Sequence, residues 1–168
     1  MLVGVISDTH GNEEGLKDAI AYLNSRHVDL VIHCGDWTSP DMVDLCKMLH
    51  CPVVSVLGNC DLDKRRFRAK EDELEITFFE DVGFILLGEH NAGIYHGHDT
   101  QKLKDMVASG EYDVVFTGHT HCPQIFESGN MTGNTLLVNP GSLKAYSPNS
   151  FALYDSKTNK AKIVHLND

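Results

Sequence analysis

Five short apolar runs in this chain each stop at residue types that bind metals. Asp8 and His10 follow Leu2 to Ile6, Asp36 follows Leu30 to His33, Asn59 follows Val53 to Leu57, His96 follows Ile94 to Tyr95, and His119 and His121 follow Val114 to Phe116. Runs that are short, β-branched and bounded by Gly, Asn, Asp or Pro read as buried strands. In an open α/β sheet, ligands bind outside the carboxyl ends of the strands, so groups far apart in sequence can converge on one crevice. Asp36, Asn59 and His119 come directly after glycine, which lets the chain turn sharply at a sheet edge. The pattern restricts the chain to folds in which several strand ends share one edge.

Between the first three runs lie helical signals. Asn12 can cap a helix that carries Leu16, Ile20 and Leu23 on one face, and Ser39 or Asp41 can start a second carrying Val43 and Leu45, which makes the first 60 residues βαβαβ. Further strands are predicted at Phe84 to Leu87, Leu136 to Val138, Phe151 to Tyr154 and Ile163 to Leu166, the last two joined by the turn residues Ser156, Thr158 and Asn159. The second half is therefore richer in hairpins. The polar stretch Asp61 to Glu75 reads as a solvated helix with compensating charges; the alternative is that Arg65, Arg66 or Arg68 contacts an anionic substrate. With 168 residues and neither repeat nor linker, one domain spanning 1–168 is expected.

Composition removes several functions. The net charge of −10 argues against general nucleic-acid binding and against an anionic membrane surface. No apolar run approaches the roughly 18 residues that a membrane-spanning helix needs. The start MLVGVISDTH has no basic region or cleavage site, so it reads as a first strand and a cytoplasmic location is expected. Five cysteines without a C-x-x-C pair argue against a disulfide framework and a thiolate zinc site, and most are expected to be reduced and buried. Neither a P-loop, a dinucleotide-binding G-x-G-x-x-G after a strand, nor a G-x-S-x-G elbow is present.

Ten histidines are the unusual feature of the composition. The strand-end residues supply two carboxylates, one amide oxygen and four imidazoles, too many donors for one tetrahedral zinc and suited to two borderline ions. Two divalent ions balanced by Asp8, Asp36 and a bridging hydroxide would leave a charge of about +1, enough to attract a phosphate anion. Such a pair acidifies the shared water and clamps the oxygens of an in-line displacement. Manganese is the expected ion, with nickel, iron or zinc as alternatives.

The ordered blocks Asp8-x-His10, Gly35-Asp36, Gly58-Asn59-x-Asp61, His96 and Gly118-His119-x-His121 resemble the calcineurin-like metallophosphoesterase superfamily, and in length and spacing its small bacterial and archaeal phosphodiesterases of the YfcE type. Asn139-Pro140-Gly141-Ser142 fits that subgroup. The resemblance implies a four-layer α/β/β/α sandwich, two mixed sheets flanked by helices. It also implies one ion on Asp8, His10, Asp36 and His121 and a second on Asp36, Asn59, His96 and His119, with Asp36 bridging. The superfamily usually has a histidine after the asparagine, near the scissile phosphate; here that position is Cys60, a poorer proton donor than an imidazole. His98 is the candidate to contact phosphate instead, so the candidate catalytic residues are Asp36, Asn59, Cys60 and His98. Asp61 is expected to support ligands or cap a helix, His33 to be a buried partner of a neighbour, and His27, His50, His90 and His165 to be surface or structural residues.

The activity implied is hydrolysis of a small phosphodiester or nucleotide-like substrate, with specificity in the rim segments 61–70 and 142–149. A phosphomonoesterase or nucleotide pyrophosphohydrolase is the rival enzyme. A non-catalytic scaffold resembling the retromer subunit of this fold is the rival from another class. A homodimer is one option for its assembly.

Overall fold

The computed structural model describes residues 1–130, 133–146 and 148–166. Among the described residues, eleven strands form two mixed sheets. In the first sheet the order is β11 (Lys160–His165), β10 (Ser150–Asp155), β1 (Leu2–Ile6), β2 (Leu30–His33), β3 (Val53–Val56) and β4 (Ile76–Phe79). In the second it is β5 (Val82–Leu87), β6 (His90–Tyr95), β7 (Val114–Phe116), β9 (Gly133–Asn139) and β8 (Gln124–Asn130). β1 to β4 are mutually parallel, as are β6, β7 and β9, while β10, β11, β5 and β8 pair antiparallel.

The sheets pack face to face. Val3, Val5, Ile32, Val56 and Tyr154 from the first meet Ala92, Ile94, Val114, Phe116 and Val138 from the second in one buried cluster. The outer face of the first sheet is covered by α1 (Glu13–Ser25), a 3-10 segment (Pro40–Met48) and α2 (Lys64–Ala69). α3 (Thr100–Ala108) places Met106 and Val107 against Tyr95 and Val115 on the outer face of the second sheet. This is the four-layer α/β/β/α arrangement.

Local sequence accounts for most elements. The Asn12 side chain accepts from the Gly15 N–H, and Leu16, Ala19, Ile20 and Leu23 form the buried stripe of α1. The second predicted helix is a 3-10 segment, begun at Ser39, whose side chain accepts from the Asp41 N–H, with Pro40 at its first turn. The charged stretch after Asp61 contains α2, capped by Asp63, and its charges pair outward: Arg66 reaches Asp41 and Lys70 reaches Asp44. Phe67 points the other way and is buried against Phe78, which is worth on the order of 1.5–3 kcal/mol of transfer energy.

Two strands fall outside the sequence reading. β4 is an edge strand with one exposed face and β8 an edge strand exposed on both faces from Gln124 to Glu127, so neither carries a continuous apolar run. One expectation about the cysteines is corrected: only Cys34 and Cys46 are buried, Cys51 and Cys60 are partly exposed and Cys122 is exposed, all with free thiols. The two buried thiols lie within apolar clusters, whereas Cys60 and Cys122 sit on strand-end loops, where one side faces solvent.

Candidate metal centre

Parallel order brings the carboxyl ends of β1, β2 and β3 in one sheet and of β6 and β7 in the other to a common edge. At that edge the chain turns through left-handed backbone at Asp8, His10, Asp36, His119 and His121, with φ of 53, 44, 62, 68 and 59°. Non-glycine residues enter that region at a cost, and several of them clustered together mark a functional site. The turns interlock: the Asp8 N–H donates to Gly35 O at 3.0 Å and the His10 N–H to Asp36 O at 3.1 Å. A Cβ on Gly58 would stand 2.1 Å from Asp36 Oδ1, and one on Gly118 2.0 Å from Ser7 Oγ, so both positions need glycine for the loops to close on the carboxylates.

Donor atoms converge in two adjoining groups. In the first, His10 Nε2 and His121 Nε2 are 3.2 Å apart and lie 3.7 and 3.3 Å from Asp8 Oδ1. In the second, His96 Nε2 lies 3.1 Å from Asn59 Oδ1 and 3.4 Å from Asp36 Oδ2. Asp36 Oδ2 is also 3.6 Å from His10 Nε2, so this single oxygen faces both groups. His119 lies beside the second group, its ring 5.1 Å from that of His96.

These atoms fit divalent cations. Asp8 Oδ1 is buried and has no hydrogen-bond partner, while Oδ2 of the same carboxylate accepts from Ser7 Oγ and the His119 N–H. A buried carboxylate oxygen without a donor is costly unless a cation meets it. His96 Nδ1 donates to Cys34 O at 2.8 Å, which leaves Nε2 of the neutral ring with its lone pair directed among oxygens that are themselves acceptors. Burial works against charge on this ring, but the Asp36 carboxylate overcomes it and raises the His96 pKa. Burial likewise opposes ionisation of Asp36, yet the His96 ring and the Cys60 N–H hold its carboxyl well below the usual range. Negative charge is therefore fixed at the midpoint of the cluster.

Supporting groups hold the donors in place. Asp61 is buried and is not among the converging donors: its Oδ2 accepts from the Asp36 and Gly58 N–H groups at 2.9 and 2.8 Å, and its Oδ1 from the Thr38 N–H at 2.8 Å. His33 accepts from the Gly35 N–H through Nδ1 and stacks on Trp37 at 3.6 Å, and its complete burial pushes its pKa well down, so the ring stays neutral. Asn139 donates to Gly118 O and Thr120 Oγ1, bracing the His119–His121 turn, and Ser142 Oγ donates to Asp8 O. The Asn139-Pro140-Gly141-Ser142 motif is thus a brace for the ligand loops, a role its sequence position alone did not reveal.

The remaining candidates divide. Cys60 Sγ lies close to the donor atoms of His10 and Asp36, and burial together with Asp36 pushes its thiol up to about 11. His98 is exposed, with its ring 5.9 Å from that of His96, at the mouth of a cleft of about 470 Å³ that Leu57, Asn59, Leu62 and Asp81 also line. Arg66 and Arg68 are taken up by carboxylates. Of the four histidines expected outside the site, His90 lies 3.7 Å from Asp113, and His27, His50 and His165 are exposed. Of the rim segment 142–149, Ser147 lies outside the described residues.

Comparison with known proteins agrees with this geometry. Residues 1–159 match the model of the calcineurin-like phosphoesterase superfamily domain. A phosphodiesterase of Methanocaldococcus jannaschii is 31% identical over 147 residues, covering 87% of this chain and 86% of that protein. A protein of Methanothermobacter thermautotrophicus described as a probable metallophosphoesterase is 37% identical over 143 residues, covering 84% of this chain and 77% of its own length. Among solved structures, an archaeal phosphodiesterase superposes with a TM-score of 0.89 at 27% identity, covering 98% of this chain and 99% of that one.

Proposed function

The chain belongs to the calcineurin-like phosphoesterase superfamily and is a metal-dependent phosphoesterase, and from that premise we propose that it hydrolyses a small phosphodiester at two divalent ions. The observation that carries this reading is Asp36 Oδ2, which faces His10 Nε2 on one side and His96 Nε2 on the other. In the proposed assignment Asp8, His10 and His121 hold one ion, Asn59, His96 and His119 hold the other, and Asp36 bridges. When bound, such a pair supplies Lewis acidity, an acidified water and a clamp on the oxygens of an in-line displacement. Manganese is proposed first, with nickel, iron or zinc as alternatives.

The protein's own groups would then do three things. Asp36 and Asn59 would help to hold the ions that bind the phosphate. The imidazoles, held by second hydrogen bonds such as that from His96 Nδ1 to Cys34 O, keep the centre rigid. His98, which lines the cleft beside Asn59, would give its proton to the departing oxygen, with Cys60 the weaker candidate for that proton. A diester monoanion suits a centre of modest positive charge. No helix among the described residues is long and apolar enough to cross a membrane, and we place the enzyme in the cytoplasm as a single domain acting on a small soluble ester.

The deciding experiment strips the protein of metal and assays bis(p-nitrophenyl) phosphate with manganese, magnesium, nickel or zinc restored, beside p-nitrophenyl phosphate. Manganese is expected to restore turnover, with the diester favoured at least about tenfold, a difference of ~1.4 kcal/mol in transition-state binding. A preference for the monoester would move the assignment to a phosphomonoesterase. Two bound ions without turnover would favour the scaffold.

Leaving-group chemistry gives a second expectation. A good general acid contributes about a hundredfold or more, and contributes most where the leaving oxygen is basic. His98→Ala is therefore expected to widen the gap in kcat between p-nitrophenolate and alkoxide leaving groups by about a hundredfold. An unchanged gap would remove His98 from proton donation.

A further inference from the structure

Several of the chain's basic side chains are engaged by carboxylates. Lys64 faces Glu80 at 3.6 Å, Arg66 faces Asp41 at 3.1 Å, Lys70 faces Asp44 at 2.8 Å and Lys102 pairs with Asp81. Lys144 differs. It is exposed, and among the described residues no carboxylate lies within ion-pair reach of its ammonium. Its backbone is nevertheless tied to the centre: the Lys144 N–H donates to Ser142 Oγ at 2.9 Å, and that same hydroxyl donates to Asp8 O at 3.1 Å. The Leu143 N–H donates to Ser7 O, and Leu143 O accepts from Asn12 Nδ2 at 2.6 Å.

Two residues further on, Tyr146 is fully exposed and sits at φ 62°. A bulky L-residue held in that region costs roughly 1–2 kcal/mol, and among the described residues no packing of the ring repays it. Tyr146 lines a polar cavity of about 550 Å³ beside the first turns of α1, together with Asn12, Glu14, Asp18, Ala145 and Asn149. A free cation tied to the Asp8 turn and an unpartnered aromatic ring on a polar cavity match two parts of one ligand. The cation suits a phosphoryl oxygen. The ring suits a flat base, since stacking tolerates any base with a π-face.

We propose that Lys144 and Tyr146 form a substrate subsite beside the metal centre, in which Lys144 contacts a phosphoryl oxygen and Tyr146 stacks on the flat ring of a nucleoside-like ester arm lodged in the cavity. This deepens the phosphodiesterase reading and rests on it. Glu14 and Asp18 supply acceptors for sugar hydroxyls and base N–H groups, and the same two carboxylates would repel an arm that carried further phosphates. The subsite therefore selects a nucleotidyl diester over a pyrophosphate-linked substrate.

The test compares the p-nitrophenyl ester of thymidine 5′-monophosphate with methyl p-nitrophenyl phosphate on the manganese-loaded protein. Tyr146→Ala is expected to lower the thymidine-over-methyl preference in kcat/KM about tenfold, at the low end of base–aromatic stacking, and Tyr146→Phe to retain it. Lys144→Ala is expected to raise KM for both esters about tenfold, and Lys144→Arg to recover most of that loss. Calorimetric binding of thymidine 5′-monophosphate should weaken in the two alanine variants and hold in the two conservative ones. Equal effects of Tyr146→Ala on both esters, or unchanged nucleotide binding in both alanine variants, would overturn the subsite. Wild-type protein that turned over neither ester would count against the phosphodiesterase reading, while the calorimetry would still judge the subsite.

Discussion

Asp36→Asn is expected to lower kcat/KM for the metal-restored diester by about a thousandfold, or ~4 kcal/mol of transition-state stabilisation, and to leave about one tightly bound ion per chain where the wild type holds two. The substitution is nearly isosteric, and most of what positions residue 36 survives it. The backbone N–H still meets Asp61 Oδ2, and an amide oxygen can still accept from the Cys60 N–H, which lies 2.8 Å from Asp36 Oδ1. What is lost is the charge on the oxygen that faces both His10 and His96. A neutral amide presents either a weaker oxygen or an NH₂ group there, and only an anion can bridge two cations without leaving them to repel each other. Metal content by atomic emission, read beside activity, separates this from unfolding, and circular dichroism should superpose on the wild type. Full activity with two ions retained would remove Asp36 from the bridging position.

The sequence revealed the ligands more readily than the groups that hold them. β1, β2, β3 and β7 are flanked on both sides within their sheets, so their hydrophobic runs stand out, and each stops at a residue that the fold turns toward the shared edge. β4 and β8 lie at sheet edges, and the alternation in Ile76–Phe79 and the polar residues of Gln124–Asn130 hide them from a search for continuous runs. The supporting contacts were not legible because they come from distant places. The carbonyl that fixes the His96 tautomer belongs to Cys34, 62 residues earlier, and the hydroxyl that donates to Asp8 O belongs to Ser142, 134 residues later. A main-chain carbonyl leaves no trace in side-chain patterning. Asn139 and Ser142 did leave one, as polar residues in a short motif, but a motif does not say which loop it braces. The rim was legible only as a region. That Arg66 and Arg68 are paired and Lys144 is not depends on which carboxylates the fold brings near each of them, and Asp41 and Glu80 come from other elements.

Asp61→Ala should be the most destabilising single change at the site, by about 3–4 kcal/mol, although Asp61 is not among the converging metal donors. Its two oxygens accept from the N–H groups of Asp36, Thr38 and Gly58, which belong to the loops after β2 and β3. Alanine orphans all three donors. Each buried N–H left without a partner costs roughly 1–3 kcal/mol, and the lower part of that range applies because Thr38 is exposed and can recruit water. For a chain of this size the loss corresponds to a fall in Tm of about 10 °C, at roughly 2–4 °C per kcal/mol. Activity should fall with it, since the same contacts set the distance between Asp36 and Asn59. Asp61→Asn keeps one acceptor oxygen and should fall between the variant and the wild type in both measures. The two variants distinguish a clamp from a ligand. A clamp loses Tm in both and binds metal more weakly but in unchanged number, because every donor in the cluster is still present. A ligand would lose an ion from the protein while Tm of the metal-free form stayed put, and that result would place Asp61 in the coordination sphere and displace the assignment made here.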